Sequence, residues 1–426
     1  MHHFQKKIHT LQASMNYIKF IRRLNTKDAV IIGLGSMIGA GIFTVAGPAV
    51  FVAGSGLLIS VFLAGIIAFL NALSMAQLAS LYPHSGGVYL YAQKQLGDLW
   101  GFLAGWGFII GKIASCTAMA LTFGLYAAPN YPRITAISMI ILLSLINYFG
   151  IKKTAFVTKI LLFIVLFSLA VVLFSAFAGG TINISRIIHP LEKGGLAGIF
   201  QATGLMFFAF AGYARIATLG EEVLSPEKTI PKAIFISLGI TLGLYILLMA
   251  FTLLSLETEK IALSKTPLAL VVESSRYFVL APIVRLGASF ASLSVLLSLM
   301  AGIGRTIFAM ASNNDLPAWF STIHPKYHVP YRAELSLCLI ICLLLIFTDI
   351  RSVIGFSSFA ILFYYTLANI SAWKLHPSER KIPRWTSLLG AFACLAIAAH
   401  LPLNSIFIGL IIFGVGLVFY LYLRKI

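Results

Sequence analysis

Charge is what this chain has least of. Asp, Glu, Lys and Arg make up only 10% of its 426 residues, and Asp and Glu together number 13. A water-facing surface of this size carries roughly 25% charged residues, so the composition excludes an ordinary soluble fold. Cysteine is also sparse. Cys116, Cys338, Cys342 and Cys394 all fall in apolar stretches, none at a ligand-like spacing from histidine. That pattern supports neither a disulfide framework nor a zinc site. The nine histidines fall in the N-terminal leader, in loops or at the ends of apolar stretches. No nucleophile–base pair is therefore expected at membrane depth, and the chain is not expected to be an enzyme. A Walker-type phosphate loop is missing too, which argues against an ATP-driven pump. No metal or cofactor is implied.

What is present is hydrophobic. Apolar residues form 59% of the chain, mean hydropathy is +0.95, and they arrive in blocks of about 20, the length that crosses a hydrocarbon core of roughly 30 Å. The expected class is an all-α membrane protein with about twelve transmembrane helices. The predicted spans are 28–51, 54–79, 98–127, 133–149, 154–178, 196–214, 229–255, 280–310, 333–348, 352–373, 386–401 and 404–423. Residues 1–27 form a basic leader containing Lys6, Lys7, Lys19, Arg22, Arg23 and Lys27, expected at the membrane surface.

Lys and Arg set the orientation. With the N-terminus inside, 21 of the 31 fall in cytoplasmic segments, 8 in external ones, and two, Lys112 and Lys159, inside spans. The positive-inside rule then places both termini in the cytoplasm and the protein in a cytoplasmic membrane. The net charge of +18 is accounted for by anionic lipid at the inner leaflet, without a nucleic acid partner.

Two spans carry interruptions. The first reads Gly33-Leu34-Gly35-Ser36-Met37-Ile38-Gly39-Ala40-Gly41-Ile42-Phe43. Each glycine costs about 1 kcal/mol relative to alanine inside a helix. Four of them within nine positions mark either a helix opening or a close helix–helix contact of the Gly-x-x-x-Gly kind. The sixth span reads Gly204-Leu205-Met206-Phe207-Phe208-Ala209-Phe210-Ala211-Gly212-Tyr213-Ala214-Arg215. The interrupted spans lie five apart, an odd number, so a second set of five starting at the sixth runs inverted relative to the first. Paired interruptions of this kind point to a transport site near the bilayer midplane. Unwound backbone persists in a membrane only where a cavity or ligand supplies partners. Its free N–H and C=O groups suit the carboxylate and ammonium of a zwitterion.

At these segments the sequence resembles the amino acid–polyamine–organocation superfamily of transporters. The match covers Gly35 to Phe43; then Gly220-Glu221-Glu222 with Pro226 and Pro231; then Gly304-Arg305, Ala309-Met310-Ala311, Leu316-Pro317, His324-Pro325 and Pro330. The resemblance implies a leucine-transporter-type fold: an inverted repeat of 28–178 and 196–373, with discontinuous helices one and six, and two further helices in 386–423. It also implies a substrate carboxylate held by amides of Gly39, Ala40 and Gly41 beside Met37, and an ammonium held by carbonyls of Phe208 and Ala211. Phe207, Phe210 and Tyr213 would wall or gate the pocket. Small residues at one break and phenylalanines at the other favour a neutral, partly apolar substrate side chain.

Proton-using relatives tend to carry a lysine mid-way along the fifth span; here that position is Val165. Lys159 lies close enough to the span end to reach the surface by snorkelling. Lys112 lies about fourteen residues into the third span, where even mild scales charge about 2.5–3.5 kcal/mol for a lysine. It is the candidate for proton coupling; the alternative is a structural lysine bonded to helix carbonyls. Ser294 and Ser298 are candidates to line the corresponding ion position. Arg215, Glu221 and Glu222 are candidates for an inner gate, or simply members of a solvated charged loop. The expected function is proton-coupled symport of neutral amino acids. Exchange by the same fold, or a sensor that binds an amino acid without moving it, leaves the same sequence pattern.

Overall fold

The computed structural model describes residues 24–82, 86–150, 155–179, 182–217, 219 and 222–424, and these are almost entirely helical, with no β-strand among them. In chain order the helices are α1 (Thr26–Met37), α2 (Ala40–Ala53), α3 (Leu57–Leu81), α4 (Gly87–Leu96), α5 (Asp98–Ala127) and α6 (Pro132–Tyr148). Then come α7 (Ala155–Ala178), α8 (Gly195–Phe210), α9 (Ala214–Ala217), α10 (Pro226–Ser255), α11 (Thr258–Leu263) and α12 (Pro267–Glu273). The last are α13 (Ala281–Ser312), α14 (Tyr331–Phe347), α15 (Ile350–Trp373), α16 (Arg384–Ala398) and α17 (Leu403–Leu423). Most of the basic leader lies outside the described residues.

Each predicted span falls on helix. Among the described residues, eight helical stretches are long and apolar enough to cross a membrane, against the twelve spans expected. The difference has physical causes. Ala40–Leu81 counts as one stretch although a single 3-10 turn, Gly54–Gly56, separates α2 from α3. Helices α6 and α14 have 17 residues each and α16 has 15. At 1.5 Å per residue these reach about 26 and 22 Å, short of a full hydrocarbon core.

Local signals explain the helix ends. The Asn25 side chain accepts from the Asp28 amide at 3.0 Å while Asp28 accepts from the Asn25 amide at 3.3 Å, a reciprocal capping box that starts α1. Asp349 caps α15 by accepting from the amides of Arg351 and Ser352. Pro132, Pro226 and Pro267 open α6, α10 and α12, where a missing N–H costs nothing. Phe156, Phe163, Phe167 and Phe174 are all exposed on α7. Their spacing of seven, four and seven lays them on one helical stripe, which suits a lipid-facing surface.

Helix α5 lies at the centre, packed against α4, α6, α13 and α15. The interrupted helices pack elsewhere in the same bundle: α2 and α3 on α8, and α1 and α3 on α10. The short helices α4, α11 and α12 lie in stretches read from sequence as loops.

Candidate functional site

The first helix breaks where the glycines predict. At Ile38 the backbone adopts φ −79°, ψ 63°, and the Gly39 amide bonds the Met37 carbonyl at 2.8 Å. That is an inverse γ-turn. Gly39 is extended and has no side chain to cap α2, so the first amides of α2 lack intrahelical partners. In a continuous helix the Met37 carbonyl would accept from the amide of Gly41. The break leaves it to Gly39 and to one side chain, Tyr245, whose hydroxyl donates to it at 2.6 Å.

The second break is milder than expected. After α8 the chain tightens into a single 3-10 turn, Ala211–Tyr213, and runs on into α9. The chain is overwound there; it does not open into an extended segment. The Tyr245 hydroxyl also lies 3.2 Å from the Ala209 carbonyl. The resemblance had pointed to Phe208 and Ala211 as the acceptors.

The two breaks lie main chain against main chain. A Cβ on Gly41 would sit 3.0 Å from Ala209 Cα and 3.3 Å from the Phe208 ring. One on Gly212 would collide with the Ser36 carbonyl and lie 2.6 Å from the Met37 amide nitrogen. At Gly212 only glycine fits because backbone approaches backbone, and at Gly41 the approach is tight. Gly39 faces α13, where its Cβ would meet Val295 at 2.6 Å. Met37, Ala40, Phe207, Phe208, Phe210, Ala211 and Tyr213 are all buried.

A family model described as amino acid permease matches residues 28–425. The chain belongs to the amino acid permease family. It is 45% identical to an uncharacterized transporter of Mycobacterium tuberculosis over 94% of this chain and 90% of that one. It is 29% identical to the branched-chain amino acid permease of Bacillus subtilis, over 99% and 97% of the two chains. A methylthioribose transporter of Bacillus subtilis is 28% identical over 77% and 76%. As a member of this family the chain is a multi-pass membrane transporter and not an enzyme. The differing substrates in these names leave the cargo of a given member to its own pocket.

The predicted aromatic wall of this permease divides. Phe208 faces the first break. Phe207 and Tyr213 turn to Tyr365 of α15, with ring centroids at 5.8 and 5.4 Å. Phe210 turns to Tyr245, at 5.1 Å. Behind Tyr213 lies a polar cluster that sequence reasoning missed. Asn369 donates to Asn71 at 2.6 Å, and Tyr213, Tyr364 and Tyr365 are buried with their rings packed close beside one another. Asparagines inside the second and tenth spans were the available signal, since polar groups within apolar spans are costly.

Lys112 is buried, at 6% exposed, one turn from Cys116 on α5. No ion pair to it occurs among the described residues. Lys159, by contrast, pairs with Asp28 at 3.3 Å with its side chain 48% exposed, so it reaches the surface as expected. Ser294 is buried beside Val295, which touches Gly39. Ser298 is exposed, and its hydroxyl lies 3.4 Å from the Ser294 carbonyl one turn before it on α13.

At the predicted cytoplasmic end, Arg215 lies within electrostatic reach of both Glu222 and Arg305. Glu221 falls outside the described residues. Main chain ties the ends of the two broken helices together there: the Leu24 amide bonds the Glu222 carbonyl at 3.1 Å, and the Leu224 amide bonds the Leu24 carbonyl at 2.9 Å. A further buried carboxylate escaped sequence reasoning. Glu334, only 3% exposed, fits against α13 because residue 304 is glycine; a Cβ there would lie 2.5 Å from its Oε1.

Proposed function

We propose that this permease carries neutral amino acids across the cytoplasmic membrane by alternating access, with both termini cytoplasmic and uptake coupled to protons. Twelve spans are assigned, with 28–178 and 196–373 as inverted halves and 386–423 as two added helices. The observation that carries this reading is the break at Ile38–Gly39, whose released amides at the start of α2 pack main chain against main chain on the end of α8. The substrate carboxylate goes to the amides at Gly39, Ala40 and Gly41. The ammonium goes to carbonyls at the end of α8, among them Phe208 and Ala211.

The bridge between Leu24 and the segment Glu222–Leu224 supports a gate at the cytoplasmic end, with Arg215 and Glu222 as its charges and Glu221 kept as a candidate on the sequence alone. Lys112 is assigned the coupling proton. It is a lone buried amine on the central helix, and Val165 leaves the fifth helix without one. Ser294 is assigned to the adjoining wall.

Purified protein in proteoliposomes tests this directly. Labelled neutral amino acid should accumulate under an inward acid gradient, and a protonophore should abolish the accumulation. Uptake that requires internal amino acid instead indicates exchange. Stabilisation by an amino acid with no flux of any kind indicates a sensor and contradicts the proposal.

A further inference from the structure

Tyr245 was not singled out by the sequence. It is one tyrosine in a long apolar helix, α10, yet it is fully buried and its hydroxyl meets both breaks at once. The Met37 carbonyl is 2.6 Å away and the Ala209 carbonyl 3.2 Å. The Met37 carbonyl stands at the first break, and the Ala209 carbonyl lies in the last turn of α8, next to the 3-10 turn. A hydroxyl has one proton to donate, so it serves Met37 fully and Ala209 only in part. Two carbonyls aimed at one point suit a group with more donors than that. An ammonium has three.

We propose that the Tyr245 hydroxyl is an internal competitor, occupying the place that the substrate ammonium takes when an amino acid binds. This deepens the reading under Proposed function and rests on it. While the breaks are closed on each other the hydroxyl is a second donor to the Met37 carbonyl, beside the Gly39 amide, and also reaches the Ala209 carbonyl. Binding exchanges one neutral hydrogen bond for charge-assisted ones, and the side chain must yield as the ammonium arrives. Its ring packs edge-on against Phe210, with centroids at 5.1 Å, so its displacement would be felt at the end of α8.

Tyr245→Phe keeps the ring and removes only the donor. A neutral hydrogen bond is worth ~0.5–1.5 kcal/mol, which converts to roughly a two- to tenfold change in binding. The variant should bind the transported amino acid about two- to tenfold more tightly than wild type. Without ligand it should melt at a lower temperature. Unchanged affinity, or weaker binding, overturns the proposal, the latter by making Tyr245 a positioning group. Should the phenylalanine variant not fold, 3-fluorotyrosine at position 245 supplies a stronger donor of the same shape. Affinity should then fall, and a rise or no change overturns the proposal. Failure of the wild type to bind any amino acid would instead sink the transport reading, whereas the melting temperature of ligand-free Tyr245→Phe reports on the bridge alone.

Discussion

The Tyr89 hydroxyl donates to the Asp315 carboxylate at 2.7 Å, tying the short helix α4 to the turn that follows α13. Asn313 completes the junction by donating to Tyr89 at 2.8 Å. Asp315 is 2% exposed, with Arg424 at 3.9 Å.

Burial holds the Asp315 carboxyl above its ordinary value of 3.8, with the Tyr89 hydrogen bond and Arg424 opposing and Asp98 adding to the rise. The folded state therefore binds a proton more readily than the unfolded chain does. Stability contributed by this group is greatest at the acid side and falls as pH rises above 3.8 through the raised folded value. Asp315→Asn should flatten that part of the melting-temperature profile, measured in detergent across the same pH range.

Gly212→Ala tests the contact between the breaks. The added methyl collides with the Ser36 carbonyl, which is backbone and cannot rotate away. Overpacking of this kind costs typically 1–3 kcal/mol. The variant should melt at a lower temperature and lose most transport, read by thermal unfolding and by uptake in proteoliposomes.

The two lysines read as lying inside spans should behave oppositely. Lys112→Met should lose accumulation driven by a proton gradient while retaining exchange of internal for external amino acid. Lys159→Met breaks only a partly exposed pair with Asp28, worth about 0–1 kcal/mol. It should leave both modes of transport near wild type. Equal effects of the two substitutions would remove the special role given to Lys112.

Gly304→Ala should destabilise the junction of α13 with α14. Its methyl group would lie 2.5 Å from Glu334 Oε1, so the buried carboxyl must rotate away from where it now sits. A lower melting temperature is expected, with partial recovery in Gly304→Ala combined with Glu334→Ala.

Sequence carried the helices and the place of the first break because both rest on strong local costs. Uninterrupted apolar runs have one use, and glycines inside them have a measurable penalty. The form of the second break was not legible. Gly212 marks where two backbones touch, but whether the chain opens or overwinds there depends on the neighbouring Ser36 and Met37. The directions of Phe207, Phe210 and Tyr213 were hidden for a similar reason. Each is set by a ring on another helix, Tyr365 or Tyr245, more than thirty positions away in sequence. Tyr245 itself gave only a faint signal, one hydroxyl in an apolar run. Helix α4 escaped because its ten residues are too few and too polar to resemble a span.

Competition by blocked amino acids against labelled substrate tests most directly whether main-chain groups at the two breaks hold both ends of the ligand. The free amino acid should compete, while its N-acetyl and methyl-ester derivatives should not, since each lacks one of the two charges. Competition by either derivative as strong as that of the free amino acid would contradict the account.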